Sequence, residues 1–392
     1  MLQLKKNVPI LYKLFLFLLV FELCSVFIAP LLIPRPWYLS LYLGKKSQES
    51  ALRFLKGEDF LIADEFTGWK TRPGVKYKTW AIDSHGSRST HDFSAQKTKP
   101  IRALFLGSSM INGGMGIQND ETISAYLEDS DIESLNFGTM LYTIDQCLLA
   151  YLHRLYVYNP DVTIVGIDGF PVAGLRNIYV PFLYRQEKYM PFFKPRFTLH
   201  GDSLQLVHTS PANLAKVLDD PHILDFLSQN DAYYCNFERF QRFEMLPLSN
   251  ALLRVYLKIR DMLNIVSGVN RDDMLLETLM QEMVNENKKR GSAVIFIILP
   301  DQTIYSRSGM LHFLPDVYDQ TIKELRSKGF HIVDVRTIFR KSGKTADELF
   351  EPDQRHYRPL ANRIIAKALY PLINKVSVEK TIQMAASLPH KD

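Results

Sequence analysis

Cysteine is scarce in this chain: 392 residues hold three, at Cys24, Cys147 and Cys235. None forms a C-x-x-C pair, which excludes the usual zinc and thioredoxin-type signatures. Cys147 and Cys235 could bridge only in an oxidising compartment; free buried thiols are the expected state. A surplus of one charge sign is also missing. Lys and Arg number 47 against 42 Asp and Glu, a formal net charge of +5. With no dense basic block, this describes a mildly basic solvated surface and excludes a nucleic-acid partner. Internal repeats and low-complexity tracts are absent, so a solenoid or a disordered array is excluded. No metal and no organic cofactor is implied. What remains, 46% hydrophobic and 23% charged residues, is ordinary globular composition. The length suits one large domain or two smaller ones.

Only one apolar run is long. Residues 14–33 read LFLFLLVFELCSVFIAPLLI. At about 1.5 Å per residue, some 20 residues span roughly the 30 Å of a hydrocarbon layer. Lys5, Lys6 and Lys13 precede the run and favour a cytoplasmic N-terminus; Arg35, Lys45 and Lys46 follow it and pull the other way. A cleaved signal peptide has a shorter apolar core and a small-residue cleavage site, whereas here Pro30 and Pro34 stand where cleavage would fall. Residues 1–33 are therefore expected to be a cytoplasmic tip and a single-pass membrane anchor. The rest would lie outside the cytoplasm, in the periplasm of a Gram-negative cell. Glu22 within the run is costly in lipid. Protonation, snorkelling or a partner helix of another membrane protein would relieve it.

Beyond the anchor, residues 34–100 carry turn chemistry without long periodicity: Gly68-Trp69, Arg72-Pro73-Gly74 and Asp83-Ser84-His85-Gly86-Ser87-Arg88. They read as an irregular membrane-proximal β module, with Trp69 and Arg88 as packing residues and a binding role for either as the alternative. From residue 101 strands and helices alternate. Apolar runs at 102–106, 135–137, 162–167, 293–299 and 331–335 read as buried strands. Segments 120–128, 272–290, 315–328 and 357–373 read as helices, as does a segment opened by the capping box Thr143-x-x-Gln146. An aromatic, Pro-rich insertion or cap interrupts the rhythm at 172–265, with a hairpin around His200-Gly201-Asp202. The predicted fold is three-layer α/β/α with a mostly parallel, flavodoxin-like sheet over 101–375, and 376–392 as a tail.

In such sheets ligands bind beyond the carboxyl ends of the strands. The first strand is followed by Gly107-Ser108-Ser109-Met110, then Asn112-Gly113-Gly114. A serine there, beside glycines and before a helix, is exposed, and its N–H can help bind an oxyanion. A nucleophilic serine needs a base, and the base needs an orienting group. Asp353-Gln354-Arg355-His356 stands before the last helix. Three-residue spacing on a turn brings both side chains to one side, with the carboxylate on one imidazole nitrogen and Ser109 on the other.

These blocks resemble the SGNH (GDSL-like) hydrolases. Gly107-Ser108-Ser109-Met110 is similar to the family's first block, and Asn136-Phe-Gly138-Thr-Met-Leu141 to its second. Glu351-Pro-Asp353-Gln-Arg-His356 and the run on to Ala366 closely resemble its last. The Gly-Trp-x-x-Arg-Pro-Gly and Ser-His-Gly-Ser-Arg stretches are similar to an N-terminal region of membrane-anchored bacterial members. The resemblance covers roughly residues 64–375 and implies Ser109, Asp353 and His356 as the catalytic set. Around them, Ser109, Gly138, Leu141, Asn112 and Asp168 are the expected oxyanion and substrate residues.

Three departures stand out. Ser108 replaces the usual Asp before the nucleophile. Leu141 aligns with the oxyanion glycine; it keeps an N–H but lacks glycine's conformational range. The third block normally supplies an Asn donor, but here the strand runs Gly166-Ile-Asp168-Gly169-Phe170-Pro171. Losing a donor typically costs about 10²–10³ in rate, and an ionised Asp168 would repel an oxyanion. Asn112 or Asn177 are candidate substitutes. The implied function is a membrane-anchored serine esterase removing acetyl groups from an envelope or extracellular carbohydrate. An O-acetyltransferase of surface polysaccharide, and a degenerate scaffold binding glycan or a membrane partner, are the alternatives. Tyr179, Phe182, Tyr184, Tyr189, Phe192 and Phe193 of the insertion could stack on sugars, although core packing suits them better.

Overall fold

A computed structural model describes residues 12–21, 24, 45–77, 79–169, 172–183, 192–209, 221–234, 273–306 and 317–386. Its strands are β1 (Leu61–Asp64), β2 (Gly68–Thr71), β3 (Ile101–Leu106), β4 (Ile132–Asn136), β5 (Val162–Asp168), β6 (Arg196–His200), β7 (Ser203–Val207), β8 (Ala293–Leu299) and β9 (Ile332–Asp334). The helices that shape the site are α1 (Lys45–Leu55), α2 (Ser109–Asn112), α3 (Ile123–Leu127), α4 (Ile144–Ala150), α5 (Asp273–Lys289), α6 (Val317–Ser327), α7 (Val335–Ser342) and α8 (Pro359–Ala386).

Side-chain alternation gives the sheet two apolar faces. Leu104, Leu106, Val165, Ile167, Phe296 and Ile298 point into one core, with Cys147 and Leu148 of α4 and Leu279, Met280 and Met283 of α5. Ala103, Phe105, Ile164, Ile295 and Ile297 point into the other, with Ile123 of α3, Phe339 of α7 and Ile365 and Leu369 of α8. The fold is thus α/β, with helices on both faces of one sheet. Its spatial order is β4-β3-β5-β8-β9, and every pairing is parallel. In chain order these five strands lie 2-1-3-4-5. The chain leaves β3 toward one edge and β5 toward the other, which opens a crevice where β3 and β5 lie side by side.

Several boundaries differ from the sequence reading. β4 begins at Ile132, because Glu133 in its interior is buried against Arg102 rather than solvated. β9 stops at Asp334, whose side chain accepts from the Arg336 N–H and caps α7. The last helix continues to Ala386 with Pro371 inside it. After α4 a π-helical turn, Tyr151–Leu155, widens the helix. Among the described residues no helix is long and apolar enough to cross a membrane. Residues 12–21 are helical, and apart from Cys24 the rest of the 14–33 run lies outside the described residues. The expected transmembrane helix is therefore not shown.

The segment before β3 packs directly on the sheet domain: Phe54, Leu61 and Trp69 share a core with Leu104 and Leu106. In the insertion, Tyr179, Phe182, Phe192 and Phe193 are buried in that core as well, so these rings are not offered to a ligand. Tyr184 and Tyr189 lie outside the described residues, as does Cys235. Cys147 is a buried free thiol.

Candidate active site

Ser109 is the first residue of α2, one turn beyond the end of β3. Ser108 caps that helix: its Oγ accepts from the Met110 N–H at 3.1 Å. This turns the Ser109 side chain into the crevice, where the residue is half-buried.

The base arrives from the other end of the chain. Residues 351–356 form a closed turn: the Gln354 N–H reaches Glu351 O at 2.9 Å and the Glu351 N–H reaches His356 O at 2.8 Å. Gln354 takes a left-handed φ of 62° to close it. Asp353 Oδ1 accepts from the N–H groups of Arg355 at 2.9 Å and His356 at 3.0 Å. Asp353 Oδ2 then meets His356 Nδ1, and His356 Nε2 lies 2.9 Å from Ser109 Oγ. The carboxylate on Nδ1 fixes the neutral tautomer that leaves the Nε2 lone pair toward the serine. Partial burial pushes the Asp353 carboxyl up, but the hydrogen bonds from His356 and Arg355 outweigh it and hold it below the usual carboxylate range. It is the ionised partner.

On the far side of Ser109, the Ser109 and Leu141 N–H groups have no protein acceptor among the described residues. Both residues line a cavity of about 230 Å³ with Asp168, Thr143, Asp301 and Arg355. Leu141 adopts φ 62°, the left-handed conformation that glycine takes without penalty. The chain around it supplies the restraint. Trp69 Nε1 donates to Met140 O at 2.8 Å, Tyr142 Oη donates to Thr67 Oγ1 at 2.8 Å, and Gln146 Nε2 donates to Thr67 O at 2.8 Å. The β1–β2 hairpin therefore holds the loop that presents Leu141.

The other expected oxyanion residues are committed elsewhere. The Gly138 N–H goes to Asn136 Oδ1 at 3.0 Å. Asn112 Nδ2 donates to Gly138 O at 2.9 Å, a contact made possible because Gly138 has no side chain: a Cβ there would stand 2.4 Å from Asn112 N. Asn177 is buried away from the crevice and gives its amide to Tyr179 O at 2.8 Å and Asp231 Oδ2 at 3.0 Å. Asp168, the last residue of β5, is open to the crevice while Ile167 before it is buried. Its carboxyl lies in the cavity wall among Ser108, Asp301, Arg355 and His356, where hydration is reduced. That loss of hydration outweighs the Ser108 hydroxyl and the nearby His356 and Arg355, and pushes it up to about 6.

A second cavity, of about 410 Å³, opens on the His356 side of Ser109. Its walls include Phe60, Trp80, Met115 and Met140, with the carboxylates of Glu351 and Asp353 on the His356 side. Trp80 is braced by Tyr77, stacked at 4.7 Å, and by Phe60, edge-on at 6.2 Å. The floor depends on Arg88. Its guanidinium is buried and donates to Asn112 O at 3.0 Å, to Ile117 O at 2.6 Å and to Gly114 O. Burial lowers its pKa to about 10, against the opposing field of Glu121. Arg88 thus clamps the loop on which His356 rests. Trp80 and Gly114 are site residues that the sequence does not single out, and Arg88 is legible chiefly as a packing residue in the Ser-His-Gly-Ser-Arg stretch; the paired Gly113-Gly114 so soon after Ser109 is the local signal for Gly114.

No family model and no curated protein matches the chain. Among solved structures it is similar to an alpha/beta hydrolase from the metagenome of Lake Arreo, Spain. That match has 14% identity and a TM-score of 0.35, covering 71% of this chain and 98% of the other. It is also similar to an acetylxylan esterase from Geobacillus stearothermophilus, at 14% identity and a TM-score of 0.37, covering 70% and 94%. At such values the fold is read from this chain's own strand order and the site from its own distances.

Proposed function

We propose that the chain is a serine esterase of SGNH type that removes acetyl groups from a carbohydrate. The observation that carries this reading is the relay itself: Ser109 Oγ at 2.9 Å from His356 Nε2, with Nδ1 on Asp353. A hydrogen bond of about 2.6–3.2 Å is what proton abstraction requires. Ser109 Oγ attacks the ester carbonyl carbon while its proton passes to His356 Nε2. The carbonyl π pair becomes an oxyanion, met by the unpartnered Ser109 and Leu141 N–H groups. Collapse breaks the bond to the alcohol oxygen, which takes the proton from His356. Water repeats the sequence on the acyl-serine and releases acetate. The 230 Å³ space on the amide side suits a short acyl group. The larger cavity beside His356, with Trp80 and Glu351 in its wall, suits the sugar alcohol, because the leaving oxygen must lie near the imidazole.

That same cavity favours a second reading, O-acetyltransfer, in which a sugar hydroxyl held there replaces water. The apolar run 14–33 supports a membrane-anchored, extracytoplasmic placement for either reaction; fractionation of the full chain with membranes tests it. Labelling with a fluorophosphonate tests the chemistry. Wild type is expected to label at Ser109, and Ser109→Ala and His356→Ala are expected not to. Equal labelling of all three removes the reading. Acetate release compared with acetyl transfer to an added polysaccharide then separates hydrolase from transferase.

A further inference from the structure

We propose that Asp168 acts as a neutral carboxylic acid, its O–H donating a hydrogen bond to the oxyanion beside the Ser109 and Leu141 amides. The inference rests on the esterase reading and adds to it a donor and a pH dependence. Its ground is placement. β5 pairs with β3, so the end of β5 faces the same crevice as the turn after β3. Asp168 lines the 230 Å³ cavity together with Ser109 and Leu141 and is the one residue of β5 exposed there. The two amide side chains expected as substitutes are committed elsewhere: Asn112 to Gly138, and Asn177 to Tyr179 and Asp231.

An ionised carboxylate in this wall would oppose the charge that the reaction creates. A protonated one supplies a donor, and a crowded site is where a carboxylic acid keeps its proton. Around it stand Cys147 from α4, Asp301 from the loop after β8, and Arg355, His356 and Tyr357 from the C-terminal turn. Tyr318 of α6 approaches the next residue, Gly169. Desolvation, aided by Asp301, raises the acid to about 6, against Ser108, His356 and Arg355. The proton does not transfer. Ser109 gives its proton to His356, and Asp168 keeps its own while sharing it with the oxyanion, whose charge strengthens the bond.

The consequence is a descending limb. The neutral fraction of Asp168 falls about tenfold per pH unit above its pKa, and kcat/KM follows. Asp168→Asn carries a permanent neutral donor and has no such limb. The test is the pH profile of kcat/KM for 4-nitrophenyl acetate, from pH 5 to 9, with fluorophosphonate labelling of Ser109 in parallel. The expected result is a wild type that declines from about pH 6 upward and an Asp168→Asn variant that holds level and exceeds it by about tenfold or more at pH 8. Asp168→Ala is expected to lose about 10²–10³ at the optimum. An Asp168→Asn profile parallel to wild type, or inactive at every pH while Ser109 still labels, overturns the proposal and leaves the esterase standing. Wild type that never labels removes both.

Discussion

The α-carbon of Gly114 lies against the imidazole of His356. A Cβ at Gly114 would stand 2.7 Å from His356 Cδ2, and the residue sits at φ +65°. Only glycine satisfies both conditions. Gly114→Ala is therefore expected to push the imidazole off its line to Ser109 while leaving the sheet intact. A displacement near 1 Å costs on the order of 10²-fold. Steady-state kinetics should show that loss in kcat/KM, with far-ultraviolet circular dichroism unchanged.

Leu141 carries a conformation that favours glycine, at φ 62°. A non-glycine residue there costs about 1–2 kcal/mol, and the half-buried leucine recovers part of this by packing against the core. Leu141→Gly keeps the N–H and the backbone shape, so activity should stay within a few-fold of wild type. Leu141→Val puts a β-branched residue at positive φ. It should lower stability by about 1–2 kcal/mol in urea titration and cut the rate of Ser109 labelling at least tenfold.

Arg102 is fully buried in β3, and its five N–H donors are all used. Nε meets Glu133 at 2.9 Å. Nη1 and Nη2 meet the carbonyls of Ala95, Tyr158, Ser94 and Gln96 at 2.8–2.9 Å. Arg102→Met leaves Glu133 buried without its cation, a loss of about 3–5 kcal/mol. Thermal unfolding should show it clearly. Arg102→Met with Glu133→Gln should recover part of it.

Asp353 has a carboxyl held below the usual carboxylate range by His356 and Arg355, against the pull of burial. For a depressed carboxylate the stabilising contacts are present above the unfolded value and vanish as pH falls through the folded one. The Asp353–His356 contact should thus persist through the ordinary carboxylate range and fail only as pH falls below it. Asp353→Asn should lower kcat by about 10²–10⁴ with little change in melting temperature at pH 7, because the side chain is half-exposed. Kinetics and calorimetry on the same preparation check both.

Trp80 forms the aromatic wall of the cavity beside His356. On the proposed esterase reading it borders the space for the alcohol and not the reacting bond. Trp80→Phe is expected to raise KM for a carbohydrate ester several-fold and leave kcat within about twofold, the pattern of lost uniform binding. A fall in kcat with KM unchanged would move the substrate elsewhere.

The sequence alone determined the alternation of buried strands and covering helices, because runs such as 293–299 have one stable environment, the middle of a parallel sheet. It also determined that Ser109 stands at a strand end and that Asp353 and His356 share a turn, since each depends on a few neighbouring residues. β4 was partly hidden because a buried charge reads as solvated until its partner, Arg102, is known.

The remainder depends on how distant segments meet in the folded chain. The 2.9 Å contact between Ser109 and His356 joins residues 247 positions apart, and no local pattern encodes a distance across the sheet. Arg88 and Trp69 sit in a stretch that reads as loose turns, yet they fix the loops of Gly114 and Leu141 through hydrogen bonds to backbone carbonyls far along the chain. The left-handed Leu141 contradicts its own local preference. Such a conformation persists only where surrounding contacts outweigh its cost, and those contacts exist only in the folded chain.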